Sequence, residues 1–435
     1  MKKNIAVIGA GMGGLQAAYT LAKAGCDVTV YEKSDREHLC HDQIDVCEVK
    51  LFTDLDIPVP EGSKKSTPCY FVGPNTDKSI LLNINEDDRD WSIERRTFGK
   101  ERTAACEEAG VKFEFGKAVD SLIFEKDAVK GIKIGKKEVL ADLVIDASGC
   151  NSPFRAEFNG KGGITAKPCS DEVFNVFHSY YEPREGIEYD DKYKFYLKYM
   201  GKPGICWCGM EFDGSISTLI GNIGYLTEES YEESFAQLKK DNPIIGDKLI
   251  RGGFATSIPV RYPAPIMVSE GYATVGDSAF MTIPLLGNGI ANAIRGGQML
   301  AEAIIDDGSV SIYTLWKYQV NYFKKIGALC CFVDFIKRGL ISTDNDELTY
   351  LFESEIITDE DVDAIFSGHL PNIKPDVIIQ KLKKAAKAHG FFGTMLSSAL
   401  KGAEAMRVAQ KIPEDYDVSK VFAWKFKLDS LYKKN

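Results

Sequence analysis

The stretch that decides the fold is KKNIAVIGAGMGGLQAAYTLAKAGCDVTVYEKS, residues 2–34. Asn4 to Ile8 is an apolar run of strand length, and the alanine-rich segment from Leu15 to Ala24 has the composition of a packed helix. A second strand, Val28 to Tyr31, follows and leads to Glu32. The order strand, glycine-rich turn, helix, strand predicts an α/β unit of the Rossmann type.

The glycines of the turn have separate physical tasks. Gly9 permits the tight turn, Gly11 lets the backbone approach a pyrophosphate, and Gly14 lets the helix pack closely on the strand. The N-terminus of the helix offers unpaired N–H groups and a partial positive charge to phosphates. At the end of the second strand, Glu32 would accept hydrogen bonds from ribose hydroxyls and repel a 2′-phosphate, which disfavours NADP. The unit therefore predicts a site for ADP, and it does not separate NAD from FAD.

Size and composition indicate a globular protein of two or three domains. The chain has 435 residues, 44% of them hydrophobic, and a net charge of −10, which argues against nucleic-acid binding. No window reaches the roughly 18 uninterrupted apolar residues of a membrane span. Met1-Lys2-Lys3 runs straight into the first strand, so we expect no secretory leader and a cytoplasmic protein. The 11 cysteines lack zinc-ligand spacing, so we expect free thiols and no metal site.

A second glycine-rich stretch, GYATVGDSAFMTIPLLGNGIANAIRGGQMLAEAI, spans residues 271–304. It contains a short buried strand, a Gly-Asp pair, a proline and a turn that opens a long helix, namely Tyr272 to Val275, Gly276-Asp277, Pro284 and Gly287-Asn288-Gly289. This order resembles the late motif of the FAD-dependent oxidoreductases built on the p-hydroxybenzoate-hydroxylase plan. The resemblance implies that Asp277 binds the ribityl chain of FAD. It also implies that the helix beginning near Gly289 directs its positive end at the pyrimidine edge of the flavin.

Two middle stretches extend the resemblance. SIERRTFGKERTAACEEAGVKFEFG, residues 92–116, is similar to the arginine-bearing helix of these enzymes, with Arg95 at matching spacing. ADLVIDASGCNSPFR, residues 141–155, runs a buried strand into Gly149 and resembles their Asp-Gly-x-x-Ser-x-x-Arg fingerprint. Ser148 stands where the hydroxylases usually carry aspartate, which weakens the expectation that NADPH docks as it does in aromatic hydroxylases.

The resemblance implies FAD as the cofactor. The predicted cofactor-binding residues are Gly9, Gly11, Met12, Gly13, Gly14, Glu32, Lys33, Arg95, Val119, Ala147, Gly149, Gly276, Asp277, Pro284, Gly287, Asn288, Gly289 and Ile290.

The predicted fold class is α/β, with a Rossmann-type FAD-binding domain, an antiparallel β substrate domain and a helical C-terminal region. The FAD-binding domain is discontinuous and the substrate domain is inserted into it. The predicted boundaries are 1–45, 92–155 and 255–330 for the FAD-binding domain, 46–91 and 156–254 for the substrate domain, and 331–435 for the helical region.

Within these flavoproteins, the chain resembles the geranylgeranyl reductase family. Phe280 stands where many aromatic hydroxylases have histidine. HLCHDQIDVCEVKLFTDLDIP, residues 38–58, is similar to the cysteine-bearing loop of the reductases, with Cys40 in the cysteine position and His41-Asp42 where they usually show glycine.

The substrate strand carries a third similarity. GKPGICWCGMEFDGSISTLIGNIGYL, residues 201–226, resembles the reductase signature Pro-x-Tyr-x-Trp-x-Phe-Pro. Trp207 matches it, whereas Ile205 replaces the tyrosine and Gly209-Met210 replaces Phe-Pro. The substrate wall is therefore altered relative to the family.

The resemblance implies an enzyme, an FAD-dependent oxidoreductase that reduces carbon–carbon double bonds of a hydrophobic, isoprenoid-like substrate by hydride transfer from reduced flavin. An external electron donor, NAD(P)H or ferredoxin, would be required, and the residues do not decide between them. The proton must come from a side chain or a trapped water, and the candidates are Cys40 and His41. Trp207, Ile205 and His178 are candidates for substrate binding.

Other functions stay open. An FAD-dependent monooxygenase, hydroxylase or halogenase on the same fold is the first alternative. An electron-transfer dehydrogenase and a flavin-binding scaffold without activity are further ones.

The C-terminal region has two interpretations. In residues 376–412 apolar residues recur near helical spacing beside a lysine cluster, namely Lys381, Lys383, Lys384 and Lys387. We favour a helical cap over the substrate cavity. The alternative is peripheral contact of these helices with an anionic membrane surface, which would make the protein membrane-associated.

Overall fold

A computed structural model describes residues 3–82, 89–189, 192–285, 287–354, 356, 358–359 and 389–433 of the chain. In chain order the strands are β1 (Asn4–Ile8), β2 (Asp27–Glu32), β3 (Ile44–Cys47), β4 (Lys64–Lys65), β5 (Cys69–Val72), β6 (Ser79–Leu82), β7 (Trp91–Glu94), β8 (Lys112–Phe115), β9 (Ser121–Glu125), β10 (Ala128–Ile134), β11 (Lys137–Leu140), β12 (Leu143–Asp146), β13 (Val173–Pro183), β14 (Tyr193–Leu197), β15 (Ile205–Met210), β16 (Ile216–Ile223), β17 (Ile245–Pro259), β18 (Val268–Ser269) and β19 (Tyr272–Thr274). The α-helices are α1 (Met12–Lys23), α2 (Val49–Asp54), α3 (Arg95–Glu108), α4 (Phe154–Glu157), α5 (Glu228–Asp241), α6 (Ile290–Asp307), α7 (Ile312–Tyr322), α8 (Ala328–Ser342), α9 (Asn345–Glu353), α10 (His389–Gln410) and α11 (Val418–Tyr432).

The central sheet has the strand order β18-β19-β12-β1-β2-β8, and all of its pairs are parallel except β18 with β19. Strands β1 and β12 at its centre are buried almost throughout, as expected for a parallel sheet that is covered on both faces. The first helix begins at Met12, three residues before the predicted Leu15, because Gly13 and Gly14 already lie within its first turn. The predicted Rossmann-type α/β architecture is confirmed.

Helices α1 and α6 cross in direct backbone contact. A methyl group added to Gly297 would lie 2.1 Å from the carbonyl oxygen of Gly13, and one added to Gly13 would lie 2.7 Å from the carbonyl oxygen of Ala293. No larger side chain fits at this crossing without separating the helices. The contact brings the first glycine turn and the late motif together, although they are remote in the chain.

A second, larger sheet has the strand order β17-β13-β16-β15-β14-β5-β6. Its pairs are antiparallel except β14 with β5, which are parallel. A further sheet, β3-β7-β4, and a β9–β10–β11 meander complete the β structure of the described residues.

The sheet pairings cross three of the predicted domain boundaries. Strand β17 pairs with β13 as far as Pro259, so the second sheet continues past the boundary placed between residues 254 and 255. Strands β3 and β7 pair with each other across the boundaries placed after residues 45 and 91. The backbone hydrogen bonds of these strands connect segments that were assigned to different domains. Amino-acid composition does not reveal such pairing.

The described part of the C-terminal region is helical and packs against the rest of the protein. Val408, Trp424 and Leu428 from α10 and α11 join the same buried core as β1. A methyl group on Gly339 of α8 would lie 2.4 Å from the Ser398 hydroxyl, so α8 and α10 are in close contact. The predicted lysine cluster lies outside the described residues. Within the described ranges, no helix has the length and apolar character needed to cross a membrane.

We predict that Gly297→Ala lowers the free energy of unfolding by about 1–3 kcal/mol, because the added methyl group meets the backbone of α1. Urea unfolding measures the effect. Gly393→Ala is the matched control, since this helical glycine in α10 has open space at its Cβ position. Its substitution should stabilise the protein by up to about 1 kcal/mol through helix propensity. Equal urea midpoints for the two variants would contradict the proposed crossing.

Candidate active site

The first glycine turn lies against the end of β12. Gly9 adopts a φ of +88°, and its N–H donates to the carbonyl of Tyr31 at 2.8 Å. Methyl groups on Gly9 and Gly11 would lie 2.8 and 3.0 Å from the carbonyl oxygen of Ala147. The turn is therefore restricted to glycine by both its conformation and its close neighbours.

Glu32 lies beside this turn at the carboxyl end of β2. Its carboxylate accepts hydrogen bonds from the backbone N–H groups of Ala10 at 2.7 Å and Ser34 at 2.9 Å. The neighbouring Lys33 is exposed. Val119, in the connection between β8 and β9, packs on the core of the central sheet. Glu32 is thus within hydrogen-bonding distance of the glycine turn.

The late motif meets the first turn at the amino end of α6. A methyl group on Gly13 would lie 3.4 Å from the backbone nitrogen of Gly276, and one on Gly289 would lie 3.3 Å from Asp277 Oδ1. The Thr282 hydroxyl donates to the same oxygen at 3.1 Å. Burial raises the pKa of Asp277, and the positive charge of Arg95 opposes that rise. The predicted residues of the two motifs therefore form one contiguous cradle.

A polar atom of this cradle lacks a partner among the described residues. Arg95 pairs with Asp45 at 3.2 Å, yet its Nε is buried without a hydrogen bond. A buried unpaired donor is costly and usually indicates a missing ligand or water. A cradle with glycine walls, a helix N-terminus and a free donor fits an anionic dinucleotide.

The polar groups of the 141–155 motif form hydrogen bonds within the protein. Asp146, fully buried at the end of β12, accepts from Tyr272 Oη at 2.6 Å and from Ser278 Oγ at 3.1 Å. Arg155 donates to the carbonyl of Ser278 at 2.6 Å, and the N–H of Gly149 donates to Ser278 Oγ at 2.9 Å. These contacts tie the motif to the late motif.

Phe280 is buried rather than presented to the substrate. It adopts a φ of +57°, and the guanidinium groups of Arg155 and Arg261 lie 4.4 and 4.9 Å from its ring centroid. A ring between two cations is stabilised by cation–π attraction. Phe280 is therefore a core residue that packs between two arginines.

Cys40 packs against α3, and His41 lies near Arg95 at the start of that helix. Cys40 has a φ of +64°, its Sγ would lie 2.6 Å from a methyl group on Gly99, and burial raises the pKa of its thiol. The His41 ring stacks on Phe254 with centroids 4.8 Å apart. Desolvation and the charge of Arg95 lower the pKa of His41, so its imidazole is neutral at pH 7. Among the described residues, neither side chain has a hydrogen-bond partner.

His178 and Trp207 share a hydroxyl group on the second sheet. Ser217 Oγ lies 2.9 Å from His178 Nε2 and accepts from Trp207 Nε1 at 3.2 Å. The two rings meet edge to face with centroids 5.4 Å apart. Burial lowers the pKa of His178 to about 4, so this imidazole is also neutral at pH 7. His178, Trp207 and Phe254 therefore form an aromatic wall.

An apolar cavity that is partly open to solvent lies on the same sheet, and its lining residues Phe174, Ile205 and Val260 share a hydrophobic cluster with Trp207. It is bounded by the second sheet, the connection before α6, α8 and α9. The lining residues are Phe174, Leu197, Lys198, Gly204, Ile205, Ile223, Val260, Pro284, Leu285, Gly287, Lys337, Leu340, Ile341 and Leu348. The predicted substrate residue Ile205 thus shares a cavity with the predicted cofactor residues Pro284 and Gly287.

The sequence did not indicate two buried residues near the aromatic wall, Tyr193 and Glu211. A methyl group on Gly209 would lie 2.4 Å from the ring of Tyr193, so the glycine that departs from the family signature makes room for this tyrosine. Glu211 is buried beside the Tyr193 hydroxyl. Its position next to an Asp-Gly turn is typical of a solvated loop, so only the three-dimensional contacts identify it.

Comparisons with known proteins agree with this geometry. Residues 7–37 match the model of an NAD(P)-binding Rossmann-like domain. A digeranylgeranylglycerophospholipid reductase of Sulfolobus acidocaldarius is 22% identical over 83% of this chain and 82% of that protein. A geranylgeranyl bacteriochlorophyll reductase-like structure from Thermoplasma acidophilum is 20% identical, with a TM-score of 0.72 over 90% of this chain and 99% of that one.

A myxobacterial chondrochloren halogenase, described as FAD-dependent, has the same fold. It is 16% identical and matches with a TM-score of 0.57 over 89% of this chain and 97% of the halogenase. At this identity the likeness concerns the fold alone. The predicted resemblance is confirmed by the reductase relatives: this chain is an FAD-dependent oxidoreductase related to the geranylgeranyl reductase family.

Proposed function

We propose that this protein uses FAD to reduce carbon–carbon double bonds in a long apolar substrate of the isoprenoid class. The observation that carries the proposal is the apolar cavity that ends at Pro284 and Gly287, beside the amino end of α6 and Asp277. A substrate lying in this cavity would meet the cofactor cradle at its inner end. The reductase relatives named above support the same reaction class.

The proposed FAD contacts follow from the cradle. Gly9, Gly11 and Gly13 would admit the diphosphate, Glu32 would bind the adenosine ribose, and Asp277 would bind the ribityl chain. Glu32 would have to exchange its present backbone partners for ribose hydroxyls. The other predicted contacts stay predictions, and Lys33 and Val119 have the weakest geometric support.

When bound and reduced, FAD supplies a hydride to the double bond. The protein's own task is to orient an apolar chain and keep water away from it. The aromatic wall and the aliphatic lining of the cavity do both. The buried Lys337 pairs with Asp334 at 2.8 Å, so its charge is compensated within the protein. Cys40 and His41 stay proposed as groups beside the cofactor.

We propose two kinds of partner, an electron donor and a membrane surface. An external donor, NAD(P)H or ferredoxin, must re-reduce the cofactor. Peripheral membrane contact through α10 and α11 has support from exposed apolar side chains on these helices, namely Leu396, Leu400, Phe422 and Phe426. A lipid surface would give an isoprenoid substrate a short path to the cavity.

Anaerobic reoxidation tests the reaction. With dithionite-reduced protein, we expect unsaturated polyprenyl compounds to restore the oxidised flavin spectrum in the absence of oxygen. Mass spectrometry should find two added hydrogens in the product. Saturated polyprenyl compounds are the control and should leave the flavin reduced. Reoxidation by air alone, with oxygen or halide incorporated into a product, would favour a monooxygenase or halogenase instead.

Asp277→Ala tests the cofactor cradle. We expect FAD binding to weaken about 10- to 100-fold, because the variant loses hydrogen bonds to a charged acceptor. Flavin absorbance per mole of purified protein and a titration with added FAD measure the loss. Asp306→Ala, at an exposed position near the carboxyl end of α6, is the control and should keep its flavin. An unchanged FAD affinity in Asp277→Ala would show that the late motif is misassigned.

Ile205→Trp tests the cavity as the substrate site. The larger ring should fill space beside Pro284, so we expect reoxidation by long polyprenyl compounds to slow about tenfold with flavin content unchanged. Leu249→Trp, at an exposed position on β17, is the matched control. Equal substrate turnover in both variants would show that the substrate does not bind in this cavity.

A further inference from the structure

A second pocket lies between α6 and α8, next to the loop that precedes α6. Ile283 lines it from that loop, and Asn292 lines it from the first turn of α6. The side formed by α8 consists of Leu329, Cys330 and Val333. Within the described part of the chain, this pocket shares no lining residue with the substrate cavity. We call it the α6–α8 pocket.

The α6–α8 pocket contains a buried polar group without a partner. Asn292 is only 6% exposed, and its Nδ2 makes no hydrogen bond to the described residues. The fully buried hydroxyl of Tyr322 is unpaired as well, and the Tyr322 ring lies 3.8 Å from a methyl group added to Gly296, one helical turn after Asn292. A buried donor of this kind is costly and usually indicates a missing ligand or water.

A cation stands at the same pocket. Lys325 and Ile326 line it from a π-helical turn, Phe323–Gly327, that joins α7 to α8. Isolated turns of this kind occur frequently at functional sites. Lys325 is exposed and forms no ion pair with the residues that the structure describes, whereas the preceding Lys324 pairs with Glu414. The charge of Lys325 is therefore available to a ligand.

The remaining lining defines the chemistry of that ligand. None of the described lining residues is a carboxylate, and an amide N–H beside an ammonium group favours an oxyanion. The Cys330 thiol stays neutral, because burial raises its pKa to about 12. The other lining side chains are aliphatic, and among them Leu329 is exposed to solvent. Aliphatic surface of this kind favours a hydrocarbon chain.

We propose that the α6–α8 pocket binds an amphipathic oxyanion, a hydrocarbon chain that ends in a carboxylate or phosphate. Asn292 Nδ2 and Lys325 Nζ would bind the anionic group, and Ile283, Ile326 and Val333 would pack on the chain. The bound molecule would contact the first turn of α6 and the loop before it, which also form the cofactor cradle, without entering the substrate cavity. The inference goes beyond the reductase reaction and does not depend on it.

Calorimetric titration of the FAD-loaded protein tests the ligand class. We expect octanoate and octyl phosphate to bind saturably. Octanol lacks the anion, and acetate and inorganic phosphate lack the chain, so each should bind about tenfold more weakly or not at all. Absence of binding by both octanoate and octyl phosphate would overturn the proposal. Octanol, acetate or inorganic phosphate binding as tightly as octanoate would also overturn it.

Variants test the residues. Asn292→Leu should weaken octanoate binding about tenfold, because a hydrogen bond to a charged group is lost. Its urea midpoint should not fall, since an apolar side chain of similar size replaces an unpaired amide. Lys325→Gln should weaken octanoate binding about fivefold. Lys324→Gln is the matched control and should bind normally, because Lys324 does not line the pocket and pairs with Glu414.

A further variant separates the α6–α8 pocket from the substrate cavity. Ile205→Trp, which fills the substrate cavity, should bind octanoate with wild-type affinity. Weaker binding in Ile205→Trp together with wild-type affinity in Asn292→Leu and Lys325→Gln would place octanoate in the substrate cavity and overturn the inference. Should Asn292→Leu fail to fold, Lys325→Gln at its exposed position decides the test. None of these titrations uses substrate turnover, so a failure of the reductase function leaves their result unaffected.

Discussion

The site depends on one backbone contact, the crossing of α1 and α6. Gly13 and Gly297 bring the two helices so close that neither position has room for a methyl group. This contact sets the amino end of α6 beside the first glycine turn, and Gly276 lies against the same turn. A dinucleotide that spans both motifs can be held only while this spacing is kept. Most of the cofactor cradle follows from it.

The rest of the molecule closes the cradle from the other side. The second sheet presents aromatic rings from β13, β15 and β17, and α8 and α9 cover its apolar face. An interior of this kind excludes water, so each polar group that remains there needs a partner or a function. Asp146 and Arg155 have partners throughout.

Two positions that distinguish the chain from its flavoprotein relatives have physical reasons. The Phe280 ring, at the position where many aromatic hydroxylases have histidine, lies between two buried guanidinium groups. Gly209 stands in place of an aromatic residue because Tyr193 occupies that space. The wall therefore keeps its aromatic character while the residues that provide it have changed. A wall of this character is compatible with the apolar substrate proposed above.

The sequence by itself determined the Rossmann-type fold, the FAD cofactor and the resemblance to the reductases, because glycine positions and strand order are local features with strict steric requirements. It also predicted Glu32, Arg95 and Asp277, which lie next to those features. The strand pairing across the predicted domain boundaries, the contact of Phe254 with His178 and the buried position of Glu211 could not be found in this way. They depend on strand pairing and burial between segments far apart in the chain, and only the tertiary structure decided those contacts.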